Sequence, residues 1–225
     1  MGNLLTSTIG RKLIMSVSGL FLVLFLLFHM SMNLAAVFST EAYNAICEFL
    51  GANWYALAGT LILAAGVVVH LVYATVLTLH NRSSRGSQRY AMTAEPEGVT
   101  WASRNMYVLG IIIVLGLLLH LYNFWYNMQF AEIIGNHELG PFPPADGAAY
   151  IAALFSSPVY CIIYLVWFAA IWFHLTHGFW SAFHTIGWDN QTWLPRLKRI
   201  ANVVATIVFL CFALVVIVFY LRSLG

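Results

Sequence analysis

The stretch LIMSVSGLFLVLFLLFHMSMNLAAVF, residues 13–38, decides the fold. It runs for 26 positions without Asp, Glu, Lys or Arg, and a helix of about 20 apolar residues is enough to cross the hydrocarbon core of a bilayer. It is too long for the apolar core of a signal peptide, and no small-residue cleavage site follows it, so it reads as a retained helix. Four further runs of the same kind follow: Trp54 to Leu79, Asn105 to Tyr126, Pro158 to Phe183 and Ala201 to Leu221. Ser157 before Pro158 forms an N-cap and first-turn pair that sets the start of the fourth helix. The expectation is an all-α integral membrane protein, one domain over residues 1–225, folded as a bundle of five transmembrane helices.

Composition supports this. Of 225 residues, 61% are hydrophobic and 8% charged, against about 25% charged in a soluble domain. A water-soluble globule is excluded, and a net charge of +2 gives no nucleic-acid footprint. Trp54, Trp101, Trp125, Trp188 and Trp193 fall near helix ends, where an interfacial aromatic belt places them.

Orientation follows from the basic residues, which avoid translocated loops. Arg11 and Lys12 precede the first helix; Arg82, Arg85, Arg89 and Arg104 lie between the second and third; Arg196, Lys198 and Arg199 lie between the fourth and fifth. The opposite loops, residues 39–53 and 127–157, hold Glu41, Glu48, Glu132, Glu138 and Asp146 and no Lys or Arg. The N-terminus is therefore expected in the cytoplasm and the C-terminus outside.

Three cysteines without a Cys-x-x-Cys-His motif exclude a disulfide framework, covalent haem attachment and an iron-sulfur cluster. The histidines are more informative, because ionisable groups inside membrane helices are costly and usually functional. His29 follows Lys12 by 17 residues, while His70, His120 and His174 follow Trp54, Arg104 and Pro158 by 16 each. Each imidazole has thus travelled about 24 Å along its helix. Since successive helices alternate in direction, His29 and His120 are expected at one depth near the outer face, and His70 with His174 at another near the cytoplasm. Two imidazoles at matched depth can hold a haem iron from both sides, a six-coordinate site suited to electron transfer.

Gly66, Gly116 and Gly178 stand one turn from His70, His120 and His174, where they give room for a flat macrocycle or serve ordinary helix packing. His177, three residues past His174, is the rival ligand for the inner pair, or a contact to a haem propionate or quinone. His80, His137 and His184 fall in interfacial or loop positions. Glu48, just before the second helix on the outer side, is the candidate proton acceptor for quinol oxidation; a solvated loop charge is the plainer alternative. Arg85, Arg89, Lys198 and Arg199 are candidates to pair with inner propionates or a cytoplasmic protein, and membrane anchoring alone also explains them.

The segments Arg11-Lys12 with Ser16-Val17-Ser18-Gly19, Phe28-His29-Met30, His70-Leu71-Val72-Tyr73, Leu119-His120-Leu121-Tyr122, and Phe173-His174 through Gly178-Phe179-Trp180-Ser181 together resemble one family over essentially the whole chain. It is the five-helix, dihaem cytochrome b anchor subunit of succinate dehydrogenases and fumarate reductases. The resemblance implies two b haems, with His70 and His174 ligating the proximal one and His29 and His120 the distal one. It also implies menaquinone chemistry near the distal haem, with Glu48 similar to an acidic residue used by some members. Implied partners are a flavoprotein and an iron-sulfur subunit on the cytoplasmic side of a bacterial inner membrane. The chain itself lacks a dinucleotide fingerprint and cysteine clusters, so it does not process dicarboxylates alone.

Rival readings are a cytochrome b anchor for another quinone-linked enzyme such as a hydrogenase or nitrate reductase, a non-haem di-iron membrane enzyme, and a proton-coupled transporter. The di-iron reading needs ligands gathered at one depth. The transporter reading suffers from the lack of intramembrane carboxylates and of inverted repeats.

Overall fold

The computed structural model describes residues 7–84, 100–188 and 190–225; Arg85 and Arg89 lie outside them. Every regular element among the described residues is helical. In chain order they are α1 (Thr8–Phe38), α2 (Thr40–Phe49), α3 (Trp54–Ser84), α4 (Trp101–Arg104) and α5 (Met106–His120). The last continues as a π-helical segment (Leu121–Phe130) into a short α6 (Ala131–Ile133), followed by α7 (Gly147–Phe155), α8 (Pro158–Ile186) and α9 (Trp193–Arg222). Five of these, with α5 extended through Ile133, are long and apolar enough to cross a membrane. This is the architecture of a multi-pass membrane protein.

The helices run past the expected ends. α1 begins at Thr8 rather than Leu13, α3 continues through Arg82, and α9 begins at Trp193 rather than Ala201. Hydropathy marks where hydrocarbon ends, whereas the hydrogen-bond ladder continues into the headgroup layer wherever nothing breaks it. Pro195 sits in the first turn of α9, where no ladder bond needs its missing N–H. α8 starts at Pro158 as expected, with Ser157 in extended N-cap geometry (φ −89°, ψ 118°), but the Ser157 side chain makes no capping bond.

Two segments expected as loops contain helices. Residues 39–53 hold α2, capped by Ser39, whose Oγ accepts from the Ala42 N–H at 3.1 Å. Residues 127–157 hold α7, capped by Asp146, whose Oδ1 accepts from the Ala149 N–H at 3.2 Å. Asn44 ties the two together, donating to Asp146 Oδ1 at 2.7 Å and accepting from the Ala148 N–H at 2.9 Å.

α1, α3, α5 and α8 form a four-sided frame. α1 packs against α3 and α8, α8 packs against α5, and α5 touches α3 only lightly. The diagonals, α1 to α5 and α3 to α8, do not pack. α9 lies outside the frame along the seam between α1 and α8, and contributes Ala205, Val208 and Val216 to the best-buried core. The acidic end is closed by polar ties: Arg222 donates to the Val37 carbonyl at 2.7 Å, and the Ala52 N–H donates to Glu132 Oε2 at 2.7 Å.

Candidate functional site

Each unpacked diagonal of the frame is bridged by two imidazoles. His29 on α1 and His120 on α5 meet edge to face with ring centroids 5.7 Å apart. His70 on α3 and His174 on α8 meet at 6.4 Å, with planes inclined by 66°. All four rings are half-buried. The structure thus brings together the two pairs expected from counting along the helices.

The first pair sits in an aromatic sleeve. Phe25 stacks on His29 at 5.4 Å, Phe212 of α9 lies 6.0 Å from it, and Phe124, Tyr164 and Trp167 surround His120 at 5.1, 6.3 and 5.7 Å. The buried Nδ1 atom of His120 has no hydrogen-bond partner, and an unsatisfied buried polar atom costs about 1–3 kcal/mol. His120 is also the last α-helical residue before the π segment, a feature that hydropathy does not encode and that often marks functional sites. There Asn127 donates to the carbonyls of Tyr122 and Asn123 at 3.0 and 3.1 Å, and Asn123 donates to the Tyr164 hydroxyl at 3.1 Å.

The second pair is nearer the basic end. His174 Nδ1 is likewise buried without a partner. His70 is held differently: its Nδ1 lies 3.2 Å from Ser18 Oγ on α1, a hydroxyl whose role no spacing along the chain reveals. Gly19 lets α1 come close, since a Cβ there would stand 3.3 Å from His70 Cε1. His177 is half-buried, 4.9 Å from the Trp180 ring, over which the Lys198 ammonium sits at 4.8 Å; its Nδ1 too lacks a partner. His177 is therefore directed to a basic, aromatic corner beside the pair rather than across the diagonal to His70.

The glycines divide. A side chain on Gly66 would strike Phe21 at 2.6 Å, and one on Gly116 would strike the Trp167 indole, whose Nε1 donates to the Ile113 carbonyl at 3.0 Å. Those two positions admit neighbouring aromatic rings, so here they serve helix packing. Gly178 is looser, with Met106 Cε and His174 Cδ2 3.6 and 3.9 Å from a built Cβ.

Glu48 lies in the last turn of α2, exposed, rather than in a loop. It lines an open groove with Glu41, Asn44, Pro143 and Asp146. Beneath it, buried Tyr43 donates to Asn33 Oδ1 at 3.2 Å, and Asn33 Nδ2 donates to the His29 carbonyl at 2.8 Å. Cys47 packs against Gly147, where a Cβ would collide with the sulfur. Burial pushes the Cys47 thiol up to about 11 and the Tyr43 phenol well above its ordinary value.

Among the described residues no three His, Cys, Asp or Glu side chains converge as a metal-binding group. Comparison with protein-family models, with curated proteins and with solved structures returned no match.

Proposed function

We propose that this chain is the membrane-anchor cytochrome b subunit of a succinate:quinone oxidoreductase or quinol:fumarate reductase. In this reading it carries electrons between membrane quinone, of the menaquinone type, and a cytoplasmic iron-sulfur subunit that works with a flavoprotein. The observation that carries the reading is the pair of imidazole bridges, one across each open diagonal of a four-helix frame.

The chemistry of the donor sets supports it. Two imidazoles, with no third His, Cys, Asp or Glu converging on them among the described residues, suit a metal that brings its own equatorial donors. With metal–nitrogen bonds of about 2 Å on both sides of one ion, imidazole centroids stand about 6 Å apart, close to both pairs. The buried Nδ1 atoms of His120 and His174 have no hydrogen-bond partner, so both rings carry polar atoms that the chain itself leaves unsatisfied. His29 and His120 would hold the outer haem b and His70 and His174 the inner one; when bound, each haem supplies a one-electron redox centre.

The chain's own residues do the rest. Phe25, Phe124, Trp167 and Phe212 exclude water around the outer pair. Lys198, with the buried, unpartnered Nδ1 of His177 nearby, would supply positive charge and a polar contact for propionate carboxylates at the basic end. Glu48 faces the aqueous side of the outer groove, placed to take a proton from a quinol and release it to water. The basic-end bias supports a cytoplasmic N-terminus with the acidic groove on the outer side, and the family resemblance adds a bacterial inner membrane to this reading.

A reduced-minus-oxidised spectrum of purified protein, with a haem-to-protein ratio, tests this reading. Two bis-imidazole b haems per chain are expected. A chain isolated with no haem after expression with ample haem supply overturns it, and co-purification with a flavoprotein and an iron-sulfur protein tests the choice of partner.

A further inference from the structure

The geometry points to Ser18 as a positioning residue that fixes the tautomer of His70 and so decides which ring nitrogen faces the diagonal. This rests on the haem reading for its consequence, though not for its geometry. Ser18 is one of two buried serines among the described positions, 8% exposed in the interior of α1. Its Oγ stands 3.1 Å from the Met15 carbonyl and 3.2 Å from His70 Nδ1. A hydroxyl has one proton and two lone pairs. A carbonyl only accepts, so the Ser18 proton goes to Met15 and the Oγ lone pair faces the ring. With the hydroxyl proton so placed, the ring nitrogen is the donor of the second contact. Nδ1 therefore carries the proton and Nε2 keeps its lone pair.

Gly19 completes the device. Because the position has no Cβ, the Cε1 and Nδ1 edge of the imidazole lies directly on α1, with 3.3 and 3.6 Å to where a Cβ would stand. Among the four bridging histidines, this is the one for which a hydrogen bond to a side chain of another helix is seen. The neutral form with a bare Nε2 is the one that ligates a metal, and donation from Nδ1–H to an oxygen makes Nε2 more basic. Ser18 would thus strengthen the inner axial bond and favour the oxidised state of the iron it serves.

The test compares the full-length chain in lipid with Ser18→Ala and Ser18→Thr. Nitrogen-15 spectra of the His70 ring, assigned with His70→Gln, should show a protonated Nδ1 in the wild type and in Ser18→Thr whether or not haem is present. A wild-type ring protonated on Nε2 in haem-free chain overturns the inference. In loaded protein, Ser18→Ala should release the inner haem at least about tenfold more readily and move its midpoint potential upward. Ser18→Thr should restore both, and the outer haem should not move. An unchanged inner potential in a Ser18→Ala protein holding both haems also overturns the inference and leaves the haem reading standing. A wild-type chain that binds no haem defeats that reading, while the nitrogen-15 spectra still decide the tautomer.

Discussion

His29 and His120 touch edge to face at 5.7 Å, yet the helices that carry them do not pack against each other. Only the side chains reach across the diagonal, and the same holds for His70 and His174.

Replacing His70 or His174 with Ala should therefore remove one haem and leave the other, and replacing His29 or His120 should remove the opposite one. Haem-to-protein ratio and low-temperature difference spectra measure this. Retention of two full equivalents in either inner variant would falsify the inner assignment.

Glu48→Gln should slow quinol oxidation while sparing both haem spectra, because the side chain is exposed in the groove and remote from the ring pairs in sequence and helix. Steady-state turnover with a soluble menaquinol analogue measures it. Unchanged turnover dismisses the proton role.

Gly116→Ala should be costly out of proportion to one methyl group. The added carbon occupies the place of the Trp167 indole and breaks its bond to the Ile113 carbonyl. Overpacking of this kind costs about 1–3 kcal/mol, so the thermal midpoint in detergent should fall. Gly59→Ala, with open space around its built Cβ, should leave the midpoint nearly unchanged.

Cys47 should react slowly with iodoacetamide at neutral pH, and its rate should climb about tenfold per pH unit until the pH nears 11. The stability consequence has a definite sign. The folded thiol holds its proton to higher pH than an unfolded one of ordinary value 9.0, so its contribution is fully present below 9 and is lost as pH rises through about 11. Mass-spectrometric alkylation across pH 7–11 follows the thiol, and Cys47→Ser should remove the dependence at that position.

The five long helices were legible because crossing hydrocarbon demands uninterrupted apolar length. The meeting of the imidazoles was legible for a related reason: equal travel along antiparallel helices leaves them at shared levels. α2 and α7 were not, because an interfacial helix of nine or ten residues needs no spanning run, and its cue is a cap such as Ser39 or Asp146. The π segment after His120 was hidden because its hydrogen-bond shift has no hydropathy signature. Ser18 was hidden because a buried hydroxyl in an apolar run is ordinarily satisfied by its own helix, and only the packing of α1 on α3 brings it to His70. Gly66 and Gly116 were ambiguous in sequence, and the rings of Phe21 and Trp167 settle what lies over them.

α9 bears none of the four bridging histidines, yet it seals the joint between the two helices that supply His29 and His174. It also follows all four of those histidines in chain order. The frame is thus roofed from outside: without this fifth span, the seam where the first and fourth spans meet would lie uncovered, and the two histidine-bearing walls would lose the brace that holds them at a fixed distance.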